Sequence, residues 1–139
     1  MQPWRGTLYE KPMSGRILAG NIRLKRAYER SGAEDGTRVL IDRLWPRGVS
    51  KQAAALDLWM KDIGPSPELR TWFGHDPARW REFRRRYAGE VRRNAEPFSQ
   101  LRALARQGPV TLVYGARDKA HNDAVVLRDL LLGRAARES

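Results

Sequence analysis

RVLIDRLWPRG, residues 38–48, and PVTLVYGARDKAHNDAVVL, residues 109–127, are built alike. Each begins with β-branched and aliphatic residues: Val39, Leu40 and Ile41 in the first, Val110, Leu112 and Val113 in the second. Each then breaks into polar residues that a buried strand rejects. The first delivers Asp42, Arg43, Trp45, Pro46 and Arg47; the second delivers Arg117, Asp118, His121 and Asn122 and runs on into an apolar helical pattern. Buried strands that end in charged residues and lead through a loop into a helix are how open α/β sheets build sites, with ligands outside the carboxyl ends of the strands.

Outward from these two strands, the pattern alternates strand and helix. Asn21–Tyr28 alternates Ile22 and Leu24 against Arg23 and Lys25, as a half-buried strand does. Trp45-Pro46 ends the strand read over 38–44, because Pro cannot donate to a ladder. Ser50 caps a short helix over 51–55. Residues 56–63 fit a strand or a helix equally well. Ser66-Pro67 is a cap followed by a first helical residue, and the helix stops at Gly74. Asp76-Pro77 repeats the signal and opens a helix over 77–93, with Trp80, Phe83, Tyr87 and Val91 on one stripe. Asn94 is placed to cap a helix over 95–107. The last helix reads from about Lys119 to Leu132, with Asp118 a natural cap. Alternation of this kind predicts an α/β fold: one small domain over 21–133, mainly a parallel sheet flanked by helices, with the two strong strands adjacent in its centre. Residues 1–20 read as a basic, loosely ordered arm, in which Met13 is an alternative start, and 134–139 as a frayed tail.

The 139 residues carry a net charge of +11, from 22 arginines and five lysines against 16 acids. Codon bias explains Arg in place of Lys but not the excess of cations. Guanidinium groups match phosphate oxygens, so the charge points toward nucleotides or nucleic acid. Cysteine is absent, which removes disulfides, thiolate metal sites and a cysteine nucleophile. It also suits a cytoplasmic location. No apolar run approaches the ~20 residues of a membrane span. No Walker loop, GxGxxG, GxSxG or HExxH occurs, and the spacing of His75, His121, Asp42 and Asp118 matches no zinc signature, so neither a cofactor nor a metal is expected.

Candidate chemistry gathers in the two polar breaks. An imidazole titrates near pH ~6.5, so His121 suits proton transfer, with Asp42 as its acid–base counterpart. Arg43, Arg47 and Arg117 suit an anion. Trp45 suits stacking, and Asp118, Asn122 and His75 suit ligand binding. Each has a plain structural alternative. Asp42 pairs with an arginine, Trp45 is core, Arg117 and Asp118 form a surface ion pair with Asp118 as a helix cap, Asn122 satisfies a loop, His121 bonds to a backbone carbonyl, and His75 is a cap or packing residue before a helix start. Arg81, Arg84 and Arg85 on the helix 77–93 form a candidate phosphate-backbone surface, or a solvated helix face.

The motifs DRLWPRG (42–48), WFGHDP (72–77) and ARDKAHN (116–122), spread through a match from about Asn21 to Leu132, resemble the YeaO-like branch of the bacterial domain-of-unknown-function family 488. The resemblance implies a small cytoplasmic α/β protein and little chemistry. Other branches carry a cysteine and a Cys-His-Arg step at the second strand end. Gly115 and His121-Asn122 stand here instead, which puts cysteine chemistry out of reach.

Three functions follow as alternatives. The first is an enzyme or enzyme-like binder of an anionic or phosphate-bearing small molecule or nucleotide, held by Arg43, Arg47 and Arg117 with Asp42 and His121 as proton carriers. The second is an accessory protein that binds nucleic acid weakly through the Arg-rich helix. The third is a non-catalytic protein-interaction module. Neither catalysis nor oligomeric state is legible in the sequence. A cleft at the strand ends favours the first, a shallow basic stripe the second, and an exposed apolar patch the third.

Overall fold

Four parallel strands form the sheet, in the order β1-β4-β2-β3. They are β1 (Ile22–Arg26), β2 (Thr37–Leu40), β3 (Leu58–Trp59) and β4 (Val110–Tyr114). The structure, a computed structural model, describes residues 17–134. Residues 1–16 of the arm expected over 1–20, with Met13, and the tail beyond Arg134 lie outside the described residues. Ala19–Asn21 form a 3-10 turn into β1, rather than the loose chain expected there.

The two strong strands are neighbours, with Val39 opposite Leu112 and Leu40 opposite Val113. All five residues of β4 are buried, as a central parallel strand demands. β2 is shorter than the strand read over 38–44. Ile41 still donates to Val113 O at 3.1 Å, and pairing then ceases at the polar Asp42. The ambiguous stretch 56–63 resolves into the two-residue edge strand β3 and a 3-10 turn over Lys61–Ile63.

Five helices follow the expected order: α1 (Lys51–Ala54), α2 (Pro67–Phe73), α3 (Trp80–Arg93), α4 (Ala95–Gln107) and α5 (Asp123–Leu131). Ser50 and Ser66 cap α1 and α2 through Ala53 N and Leu69 N. The helix read over 77–93 begins with a 3-10 turn at Pro77–Arg79, capped by Asp76. Asn94 does not cap α4; its Nδ2 donates to Asp62 O at 3.0 Å instead. α5 starts four residues later than the pattern indicates, because Asn122, not Asp118, accepts from the first turn at Val125 N.

Packing follows the strand alternation. Val39, Ile41, Val110, Leu112 and Tyr114 join the large core with residues of α2–α5. Leu40 and Val113, on the opposite face, are covered by Trp45, Val49, Leu56 and Trp59 from the segment after β2. α3 buries Phe83, Tyr87, Ala88 and Val91, and Phe83 stacks on Phe73 with ring centroids 4.3 Å apart. Each fully buried aliphatic or Phe side chain is worth about 1.5–3 kcal/mol. Among the described residues no helix is long and apolar enough to cross a membrane.

Candidate functional site

Where β2 and β4 end side by side, their chains separate around a cavity of about 270 Å³. Asp42 emerges from β2 and Gly115 from β4. The Gly115 N–H donates to Asp42 Oδ2 at 2.8 Å, which fastens the two strand ends together. A Cβ at position 115 would lie 3.3 Å from that oxygen, so the short residue leaves the carboxyl its place.

The expected site residues divide. Asp42, Arg43, Trp45, Arg47, His75, His121 and Asn122 all line the cavity. Arg117 does not: it is exposed on the loop and outside the lining. The expected convergence of Asp42, Arg43, Arg117 and His121 therefore holds without Arg117. The reason is local. The chain leaves β4 through an Asx turn, in which Asp118 Oδ1 accepts from Ala120 N and His121 N, and the turn carries position 117 outward. Asp118 is itself outside the lining; it anchors the turn and holds His121.

Several lining groups already have partners. His121 Nδ1 lies 2.8 Å from Asp118 Oδ2, and its ring meets Trp80 edge-on at 5.2 Å. With Nδ1 donating, Nε2 is the nitrogen left for a ligand. The bond from His121, and then the Ala120 N–H, hold the Asp118 carboxyl below the usual carboxylate range. Asn122 donates to Asp118 O and accepts from Val125 N. Arg43 Nε donates to Pro65 O, and Trp45 Nε1 donates to Val49 O. His75 follows Gly74 in the left-handed region with φ of 57° and sits near the Phe73 ring.

Among the lining residues that went unseen in the sequence, three carry polar side chains. Arg70 comes from α2, Tyr28 from the turn after β1, and Asp123 is the first residue of α5. Asp123 changes the chemistry most. Burial, the neighbouring Asp42 charge and a hydrogen bond with the Asp42 carboxyl all push its carboxyl well above the usual range. Two hydrogen-bonded carboxyls thus line the cavity together with Arg43, Arg47 and Arg70. An acid at the start of a helix is ordinary, so nothing in the sequence set Asp123 apart. Among the described residues no cluster of His, Asp and Glu could hold a metal.

The basic helix reads differently in structure. Arg81 is exposed and Arg84 lies over the Trp80 ring at 5.7 Å. Arg85 and Arg86 both bond Glu82, at 2.7 and 2.8 Å, and these bonds hold its carboxyl down at about 2. One acid on the face therefore offsets part of the expected cationic surface.

Residues 21–139 match the family described as "Inactive DUF488-N3 subclade". The chain is 42% identical over 113 residues to the uncharacterized protein Rv3073c of Mycobacterium tuberculosis, which covers 81% of this chain and 95% of that one. It is 41% identical over 111 residues to the uncharacterized protein YeaO of Escherichia coli, covering 80% of this chain and 96% of that one. No solved structure matches. With the match reaching from the first strand through the cavity and beyond α5, the chain belongs to the inactive DUF488-N3 subclade.

Proposed function

We propose that this protein binds a phosphate-bearing small molecule of nucleotide class at the carboxyl ends of β2 and β4, and holds it without turning it over. The observation that carries this reading is the cavity itself. It combines Arg43, Arg47 and Arg70 with the aromatic rings of Tyr28, Trp45, Phe73 and Phe83 in about 270 Å³. Concave, largely apolar sites with a few polar groups are the usual ligand sites, and the open end of a parallel sheet is where such folds place them. The net charge of +11 favours an anion. The family's description as inactive favours binding over catalysis, and the absence of cysteine is compatible with it. Retention in the cytoplasm, where nucleotides are plentiful, belongs to the same proposal.

The nucleic-acid reading has less support, because Glu82 pairs with Arg85 and Arg86. Native mass spectrometry of the purified chain should detect a co-purified phosphate ester. Titration calorimetry with adenosine monophosphate should then show saturable binding. Replacing Arg47 and Arg70 together by Gln should weaken it by about tenfold or more, since a hydrogen bond to a charged group is worth about 1.5–3 kcal/mol. No binding, or binding indifferent to both substitutions, would overturn the reading.

A further inference from the structure

We infer that the Asp42–Asp123 carboxyl pair is the selective end of the cavity, and that it receives a hydrogen-bond-donating head of the ligand, a sugar hydroxyl or an amino group, while the anion lies at Arg47 and Arg70. This rests on the ligand-binding reading above and gives the ligand's other end a chemistry.

Several polar groups in and beneath the cavity are already engaged within the protein. The Asn122 amide is committed at both atoms, to Asp118 O and Val125 N. The Trp45 N–H is committed to Val49 O, and Arg43 Nε to Pro65 O. Beneath the site, the buried Tyr87 hydroxyl donates to Ile63 O at 2.6 Å. The carboxyl pair is different. Besides the hydrogen bond that the two carboxyls share, backbone N–H groups donate to them, that of Gly115 to Asp42 and those of Ala124 and Asp123 itself to Asp123. Two carboxyls offer about eight lone-pair sites, far more than these donors fill. Carboxyls turned toward each other in a half-buried place are unfavourable for the empty protein. A ligand that brings donors relieves that, and an isostere without them leaves the acceptors unmatched, which is how buried polar groups produce discrimination.

The fold gives the pair a fixed geometry. Asp42 follows the last ladder bond of β2, at Ile41 N, and Asp123 is fixed by the Asn122 cap of α5. Both supports are rigid elements, so the spacing of the two carboxyls is a property of the sheet and helix rather than of a mobile loop.

The test is calorimetry on the full chain at pH 7.5 with three probes: inorganic phosphate, ribose 5-phosphate and O-phosphoethanolamine. Phosphate has the anion alone, and the other two add hydroxyls or an ammonium group. At least one of these two should bind about tenfold tighter than phosphate, and which one identifies the head. In Asp123→Asn that advantage should fall below about threefold while the phosphate affinity stays within about twofold, because one carboxyl-to-amide change replaces an acceptor oxygen by a donor and leaves the arginines alone. Asp42→Asn is the second variant, and thermal melts of both report that they fold. If phosphate binds but the two larger probes gain nothing, or if their gain survives both substitutions, the pair is not the selective end and the anion site stands by itself. If none of the three binds, both readings fall together.

Discussion

The two ends of the sheet each bury acid groups, and they treat them in opposite ways. At the amino ends, Asp35 is 1% exposed and is surrounded by cations. Arg38 Nη1 reaches it at 2.7 Å and Lys25 Nζ at 2.9 Å, while the Gly32 N–H donates at 3.0 Å. Arg38 continues the network to Ala54 O, and Thr111 Oγ1 bonds the Asp35 carbonyl. Burial works to raise the Asp35 carboxyl, but the bonds from Lys25, Gly32 and Arg38 outweigh it and hold the carboxyl below its ordinary value. At the carboxyl ends, Asp123 meets another carboxyl instead, and burial with the Asp42 charge drives it upward. One cluster ties loops, strands and a helix end together. The other sets two carboxyls against each other in a cavity. A polar group that stabilises has its partners inside the protein, and one that recognises lacks them until a ligand arrives.

That contrast exposes itself to substitution. Asp35→Ala should lose about 3–5 kcal/mol in denaturant unfolding, because it leaves the nearly buried Arg38 uncompensated. A loss below about 1 kcal/mol would mean that the amino-end cluster fastens nothing. The same small change at the two ends should also differ. Gly36 has φ of 64°, and a Cβ there would stand 2.2 Å from the backbone Pro109 O, whereas a Cβ at Gly115 would meet only side chains, Asp42 Oδ2 at 3.3 Å and Pro46 Cβ at 3.9 Å. Gly36→Ala should therefore cost about 2–3 kcal/mol, and Gly115→Ala less than about 1 kcal/mol. Equal costs would put the strand-end glycine in the same structural class as the other.

The fold was legible where local chemistry acts alone. Ser66-Pro67 and Gly74 bound α2 over Pro67–Phe73, and the Phe83–Tyr87–Val91 stripe is the buried face of α3. The adjacency of β2 and β4 followed from their apolar runs. Legibility failed where two signals of the same kind competed. Asp118 and Asn122 are both good caps, and only the completed turn, with Asp118 bonding Ala120 N and His121 N, leaves Asn122 to start α5. The same turn moved Arg117 away from the cavity. Arg38 sat inside a strand motif without any sign of its partner, since Asp35 is tied to it by the path of the chain through Gly36. Arg70 and Asp123 reach the cavity only through tertiary packing, and a single strand or helix pattern has no record of that.

The smallest expected effect is also the sharpest. Asp123→Asn should make the protein more stable near neutral pH, by about 0.5–2 kcal/mol, as removal of a locally unfavourable group at a proposed binding site commonly does. Its sign with pH follows from linkage. A carboxyl whose folded-state value is raised penalises the fold as pH climbs above the unfolded value near ~4, so the gain should grow from pH ~4 upward. Asp35 is the reverse: its lowered value contributes stability above pH ~4 that is lost as pH falls through the folded-state value. Thermal unfolding of the native sequence, Asp35→Asn and Asp123→Asn at pH 4 and pH 7.5 compares them directly. At pH 7.5 Asp35→Asn should melt below the native protein and Asp123→Asn above it, and both gaps should narrow at pH 4. If Asp123→Asn instead melts as far below the native protein as Asp35→Asn does, the carboxyl pair is a structural fastening, and the contrast between the two ends of the sheet is wrong.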